Sequence, residues 1–152
     1  MVYSRQMPKS KEKIEVFVDG AARGNPGPAG IGIVIKKGDK ILLEVGSYIG
    51  ETTNNVAEYM ALIRGLEEAI IMGDENVKVT SDSELLVRQM TGEYRVKNEG
   101  LKPLHLHAKE LVRKIKKFEI AHAPREKNKH ADKLANMGID SQATKDSPLF
   151  NN

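Results

Sequence analysis

Four carboxylates stand where a folded chain could gather them. Asp19 closes the apolar run "VFVD" and is followed by "GAARGNPGPAG", a stretch with four glycines and two prolines. Glu58 lies in "NNVAEYMAL", Asp82 in "VTSDSELL" and Asp132 in "NKHADKLAN". Each acid has an ordinary alternative. Glu58 could be a helix-surface acid, Asp82 could cap the helix that follows it, and Asp132 could be a first-turn acid favoured by the helix dipole. Four acids at such special positions favour a shared task, and carboxylates gathered at one edge would hold a cation. The charge layout agrees. Residues 1–13 hold four basic residues and one acidic, residues 109–133 nine basic and four acidic, and residues 44–84 nine acidic and two basic. A chain basic at both ends and acidic in the middle suits a polyanion partner plus a cation site.

The elements that must position these acids follow from periodicity. "KIEVFVD" (13–19) alternates Ile14, Val16 and Val18 and reads as a strand. Residues 30–50 read as two strands joined by a turn at Lys37-Gly38-Asp39. Residues 54–73 read as a helix, with apolar Val56, Met60, Ile63, Leu66 and Ile70 at spacings of three and four and Gly73 as its stop. A fourth strand is expected over 76–82, short and long helices over 83–92 and 101–117, and a fifth strand over 118–124. Pro103 falls in the first turn of the longer helix. A final helix is expected over 128–138, with Asn128 as its cap and Gly138 as its stop. The order βββαβααβα predicts an α/β fold: a five-stranded mixed sheet with an antiparallel hairpin and crossover helices. On this layout Asp19 ends the first strand, Asp82 ends the fourth, Glu58 lies one turn into the first helix, and Asp132 lies in the first turn of the last. Strand ends and nearby helix starts of such a sheet can converge at one edge.

Composition bounds the setting. The 152 residues suffice for one domain with a sizeable core, and 39% hydrophobic with 30% charged residues is ordinary for a soluble globular protein. There is no cysteine, so disulfides and thiolate metal sites are excluded and a reducing compartment fits. No apolar run nears the ~18 residues of a membrane span, and "MVYSRQMPKSKEK" has no apolar stretch of the kind that marks a secretory signal. The expectation is a cytoplasmic monomer with a disordered basic arm over 1–13, a catalytic domain over 14–139 and a C-terminal tail over 140–152 that lacks periodicity.

The segments "VDGAARGNPGPAG", "TTNNVAEYMAL", "TSDSELLVRQM" and "REKNKHADKLAN" together resemble the motif series of ribonuclease H, type 1 class. The match spans residues 14 to 139, in family order and on matching elements. The resemblance implies a ribonuclease H-like fold, Asp19, Glu58, Asp82 and Asp132 as a metal-binding catalytic quartet, and two Mg²⁺ ions that Mn²⁺ can replace. It implies hydrolysis of the RNA strand of an RNA–DNA hybrid, leaving 3′-hydroxyl and 5′-phosphate ends. Such hydrolysis must activate a water and stabilise a departing 3′ oxygen, and two hard cations about 3.5–4 Å apart can do both. In that scheme Asp19 bridges the ions, Glu58 and Asp82 hold the ion on the leaving-group side, and Asp132 holds the one beside the nucleophile. The glycines after Asp19 would let the backbone approach a sugar-phosphate.

By the same resemblance Gly20, Ala21, Ala22 and Asn25 contact RNA in the minor groove, where the 2′-hydroxyl marks the strand. Asn54 and Asn55 can both donate and accept, so they suit riboses and base edges. Thr53 matches a contact to the DNA phosphates, although Thr or Asn before an apolar helix is also a common start signal. The chain departs from the family in three places. "TGEYRVKNEG" is brief, so the long basic insertion of many members is absent, and affinity would rest on residues 1–13 or on Lys109, Arg113, Lys114 and Lys117. Glu84 stands where a glutamine contacting a base is usual. The mobile-loop histidine of the family aligns best with Arg125, with His122 and His130 as neighbouring alternatives. Arg125 cannot donate a proton at neutral pH, but its charge could help expel the product phosphate. Two residues of helix separate His130 from Asp132, about 200° of rotation, which turns it away from that acid. The rival reading is a non-catalytic hybrid-binding module of the same fold. A nucleotide-binding loop is excluded, because "DGAARGNPGPAG" has neither the G-x-G-x-x-G order nor a G-K-[ST] end.

Overall fold

The structure, a computed structural model, describes residues 13–145. The basic arm expected over 1–13 lies outside them except for Lys13, as does the tail beyond residue 145. Three strands come first: β1 (Ile14–Ala22), β2 (Gly27–Lys37) and β3 (Lys40–Thr52). They are followed by α1 (Asn54–Met72), β4 (Asn76–Ser81), α2 (Glu84–Thr91), α3 (Lys102–Val112), β5 (Lys117–His122) and α4 (Lys129–Lys145). A 3-10 turn, Arg125–Lys127, precedes α4. The sheet order is β3-β2-β1-β4-β5. β1 pairs antiparallel with β2 and parallel with β4, which places it at the centre. The expected βββαβααβα order and mixed sheet are therefore present.

Alternation sorts the two faces of the sheet. Ile14, Val16 and Val18 of β1 and Ile31, Ile33 and Ile35 of β2 form the core with Leu62 and Leu66 of α1. The intervening residues of β2 face α4 instead. The buried residues of α1 are Ala57, Glu58, Tyr59, Ala61, Leu62, Gly65, Leu66 and Ala69. Of the apolar stripe expected at Val56, Met60, Ile63, Leu66 and Ile70, Leu66 lies among them and the other four pack at the margins. Small residues occupy the centre because the helix lies tight on the sheet: a Cβ on Gly65 would meet Val16 and Val18 at 2.9 Å. Thr53 caps the start of α1, its side chain accepting from the Val56 amide, and Gly73 ends the helix in the left-handed region at φ 78°.

On the other face α4 lies over β2 and β3 and approaches still more closely. Gly32 is opposite Gly46 in the β2–β3 register, and Asp19 is opposite Gly32 in β1–β2. A Cβ on Gly32 would overlap the Ala131 carbonyl oxygen, and one on Gly46 would stand 2.6 Å from the Leu134 oxygen. Helix backbone thus rests on strand backbone, with Ala131 and Ala135 fully buried at the contact.

Several boundaries differ from expectation. β1 runs to Ala22 rather than ending at Asp19, and β2 starts at Gly27, because residues 19–22 stay paired with 29–32. The glycine-rich stretch is therefore mostly strand, with only residues 23–26 turning. α3 stops at Val112, not 117, since residues 113–116 turn the chain back so that Lys117 can start β5 opposite Asn76 of β4. β5 ends at His122. The stretch after 139, expected to be aperiodic, continues α4 to Lys145, with Ile139 buried at 2% exposure.

The contact between α4 and the glycines carries a stability prediction. Gly32→Ala forces a methyl group into helix backbone, and overpacking of this kind costs about 1–3 kcal/mol or more. Urea unfolding should show a correspondingly lower midpoint for Gly32→Ala, whereas an unchanged midpoint would contradict this docking of α4.

Candidate active site

The site forms where β1 and β4 part. Their parallel pairing ends at Val18↔Ser81, and the next residues in the two strand directions are Asp19 and Asp82. Asp19 stays in β1, paired to β2, and is only 4% exposed. Asp82 leaves the strand before α2. It does not cap that helix: Ser83 does, its hydroxyl accepting from the Leu86 amide at 3.2 Å. Glu58 arrives from α1. A Cβ on Gly20 would overlap the backbone of Ala57, so the glycine lets α1 press against β1. The Gly20 amide then donates to Glu58 Oε1 at 3.0 Å. Tyr59 steadies the same turn by donating from its buried hydroxyl to Gln89 Oε1 at 2.6 Å. One carboxylate oxygen each from Asp19, Glu58 and Asp82 lie within 4.8 Å of one another.

Asp132 joins from the first turn of α4, half-buried at 27% side-chain exposure. Its carboxyl group lies close enough to Asp19 to add to the upward shift of that acid. Asn136, one turn later, donates from Nδ2 to the Asp132 carbonyl at 3.0 Å and faces Asp132 Oδ1 at 3.5 Å. Arg23 in turn donates to Asn136 Oδ1 at 3.2 Å and pairs with Asp140 at 2.8 Å. Asn128 does not cap α4 with its side chain. It is 2% exposed, and its Nδ2 donates to the Val18 carbonyl at 2.9 Å, beside the point where β1 and β4 separate. Asn128, Asn136 and Arg23 are residues that sequence reasoning did not connect to the site. Helical spacing from Asp132 (four before, four after) was the available signal for the two asparagines.

The electrostatics follow from the crowding of acids, two of them buried, in one cleft. Burial, then the neighbouring Glu58 and Asp82, push the Asp19 carboxyl up to about 9. Burial pushes Glu58 up to about 8, with Asp82 and Asp132 adding to the rise and the Gly20 amide opposing it. At an effective dielectric of about 20, two unit charges 4.8 Å apart repel by roughly 3.5 kcal/mol, more than one amide hydrogen bond returns. The donor set is all oxygen, and it suits a hard divalent cation.

The cleft, about 240 Å³, is lined by Asp19, Gly20, Ala21, Asn54, Glu58, Asp82, Arg125 and Asp132. Arg125 reaches Asp132 Oδ1 at 3.5 Å and is 76% exposed. Other expected residues stand apart from it. His122 is exposed at the end of β5, in register with Ser81. His130 faces Glu44 of β3. Glu84 pairs with Arg88 at 2.8 Å along α2. Ala22 closes β1, and Asn55 is exposed in the first turn of α1. Asn25 Oδ1 accepts from the Asn54 amide at 3.1 Å, which ties the β1–β2 turn to the start of α1.

Comparison with known proteins adds independent findings. The family described as "Reverse transcriptase-like" matches residues 17–138. A protein named ribonuclease H from Syntrophotalea carbinolica is 32% identical over 148 residues, covering 88% of this chain and 95% of that protein. A bifunctional protein of Mycobacterium tuberculosis is 41% identical over 133 residues, but the chain spans only 36% of its length. The crystal structure of LC11-RNase H1 in complex with RNA/DNA hybrid superposes with a TM-score of 0.81 at 48% identity, covering 86% of this chain and 99% of that one.

The raised carboxyls set a pH dependence. An acid whose folded pKa exceeds its unfolded value holds its proton in the folded state over the interval between them. Unfolding then releases the proton, and stability falls as pH rises through that interval. For Asp19 the interval runs from 3.8 to about 9. In EDTA, Asp19→Asn should melt above the wild type at pH 8, by roughly 5 °C or more, and the gap should close toward pH 4. Thermal melts across this range test it; a gap that does not change with pH would contradict the crowding.

Proposed function

The chain belongs to the ribonuclease H family, and on that footing we propose that it is a divalent-metal-dependent endoribonuclease that cuts the RNA strand of RNA–DNA hybrids. The observation that carries this reading is the gathering of Asp19, Glu58 and Asp82 within 4.8 Å, with Asp132 lining the same cleft. Mg²⁺ is the proposed cofactor, as two ions that Mn²⁺ can replace, held by Asp19, Glu58, Asp82 and Asp132. When bound, such ions activate water and stabilise the departing 3′ oxygen, which yields 3′-hydroxyl and 5′-phosphate ends.

The residues of the chain divide the remaining work. Gly20 holds one oxygen of Glu58 through its amide, which fixes the orientation of that carboxylate toward the cleft. Asn54 lines the cleft with an amide that can both donate to and accept from a 2′-hydroxyl. Asn25, tied to the Asn54 amide, sets the β1–β2 turn beside it. The Thr53 hydroxyl already accepts from Val56, so its proton remains for a phosphate oxygen of the DNA strand. Arg125 brings a guanidinium to the Asp132 side of the cleft, where it can draw off the product phosphate.

A labelled panel of RNA–DNA hybrid, double-stranded RNA and double-stranded DNA, each with Mg²⁺, Mn²⁺ or EDTA, tests the reading. The RNA of the hybrid should be cut in either metal and in neither case with EDTA. Asp82→Asn should abolish that cleavage while hybrid binding persists; near wild-type turnover would overturn the metal assignment. Arg125→Ala should lower kcat about ten-fold, near 1.4 kcal/mol, with little change in KM. A large loss for His122→Ala beside an unaffected Arg125→Ala would move product release to the histidine.

A further inference from the structure

A second groove adjoins the carboxylate cleft. It encloses about 520 Å³ and is lined by Arg125, Glu126, Lys129, Asp132 and Lys133. Arg125 and Asp132 line both cavities, so the two are continuous. Lys129 and Lys133 lie one turn apart on α4, about 6 Å along the axis, and both are exposed. Among the described residues no carboxylate pairs with either lysine. Elsewhere on the surface cations pair readily, as Lys102 does with Glu99 and Arg88 with Glu84. The groove also opens at the N-terminal end of α4, where unsatisfied amides favour anions.

A polyanion whose phosphate enters the cleft meets carboxylates there, and its flanking phosphates need cations beyond the cluster. Arg125, Lys129 and Lys133 supply them directly alongside Asp132. We propose that this groove is a phosphate track that holds the strand being cut on one side of the scissile phosphodiester. The proposal rests on the nuclease reading for the identity of that strand. It also accounts for affinity in a chain whose α2–α3 connection is only residues 92–101 long. Two contacts spaced one helical turn apart address successive phosphates, and they read charge rather than sequence.

The test is Lys129→Gln/Lys133→Gln, which removes both charges at exposed helix positions while keeping good helix formers. Binding of a fluorescent RNA–DNA hybrid is measured with EDTA present, at several salt concentrations, so that it does not depend on turnover. Each phosphate contact contributes about 0.9 to the salt slope, so the double variant should lose about 1.8 from it and roughly ten-fold or more in affinity at 0.1 M salt. Under turnover with Mg²⁺ the loss should fall on KM rather than kcat. Unchanged affinity and slope in the double variant would overturn the groove and leave the lysines as solvated surface. A wild type that binds hybrid without cutting it would overturn the nuclease reading, while the salt slopes would still decide the groove.

Discussion

Like charges held close together, two of them out of solvent, are the constraint on which the rest of this structure depends. Three carboxylate oxygens within 4.8 Å, two of them on residues no more than 6% exposed, would repel by several kcal/mol per pair if all were ionised. The sum approaches the whole stability of a domain this size, about 5–15 kcal/mol. The cluster therefore exists in one of two ways: partly protonated, as the raised Asp19 and Glu58 carboxyls indicate, or neutralised by divalent cations. Such a group is costly without a counter-charge, and its all-oxygen donor set suits a hard divalent cation.

Holding the carboxylates in place falls largely to backbone. The crevice begins where β1 and β4 stop pairing, and Asn128 meets the Val18 carbonyl at that point. Glycine at 20 lets α1 come near enough for a backbone amide to fix Glu58, and glycines at 32 and 46 let α4 come near enough to carry Asp132 to the same edge. Side chains that are missing set the geometry as much as those that are present. Asn136 and Arg23 then extend the support outward along α4, from Asp132 to Asp140.

Much of this was legible in the sequence, for identifiable reasons. Alternation in β1 and the helical spacing of α1 and α4 reflect burial on one face, which a linear pattern records. The four acids stood out because each broke such a pattern. What the pattern could not record was approach distance. The glycines after Asp19 looked like room for a ligand, yet Gly20 is filled by the backbone of α1, and Gly30 and Gly32 by α4. The same blindness displaced part of the buried face of α1, where Ala57, Ala61, Gly65 and Ala69 are buried beside Leu62 and Leu66, while Val56, Met60, Ile63 and Ile70 stay at the margins. Asn128 was read as a cap because local signals favour it there, and its long-range bond to Val18 has no local signature. The C-terminal turns of α4 lacked a clear stripe because, among the described residues there, Ile139 is the one buried large apolar side chain.

The central claim is that these carboxylates form one divalent-cation site whose protons leave when the cation enters. Calorimetric titration of Mn²⁺ into the protein at pH 7, in two buffers of different ionisation enthalpy, measures that exchange. With Asp19 near 9 and Glu58 near 8, the account predicts binding accompanied by release of about one to two protons, seen as buffer-dependent heat. Binding whose heat is identical in both buffers, or no binding at all, would contradict it.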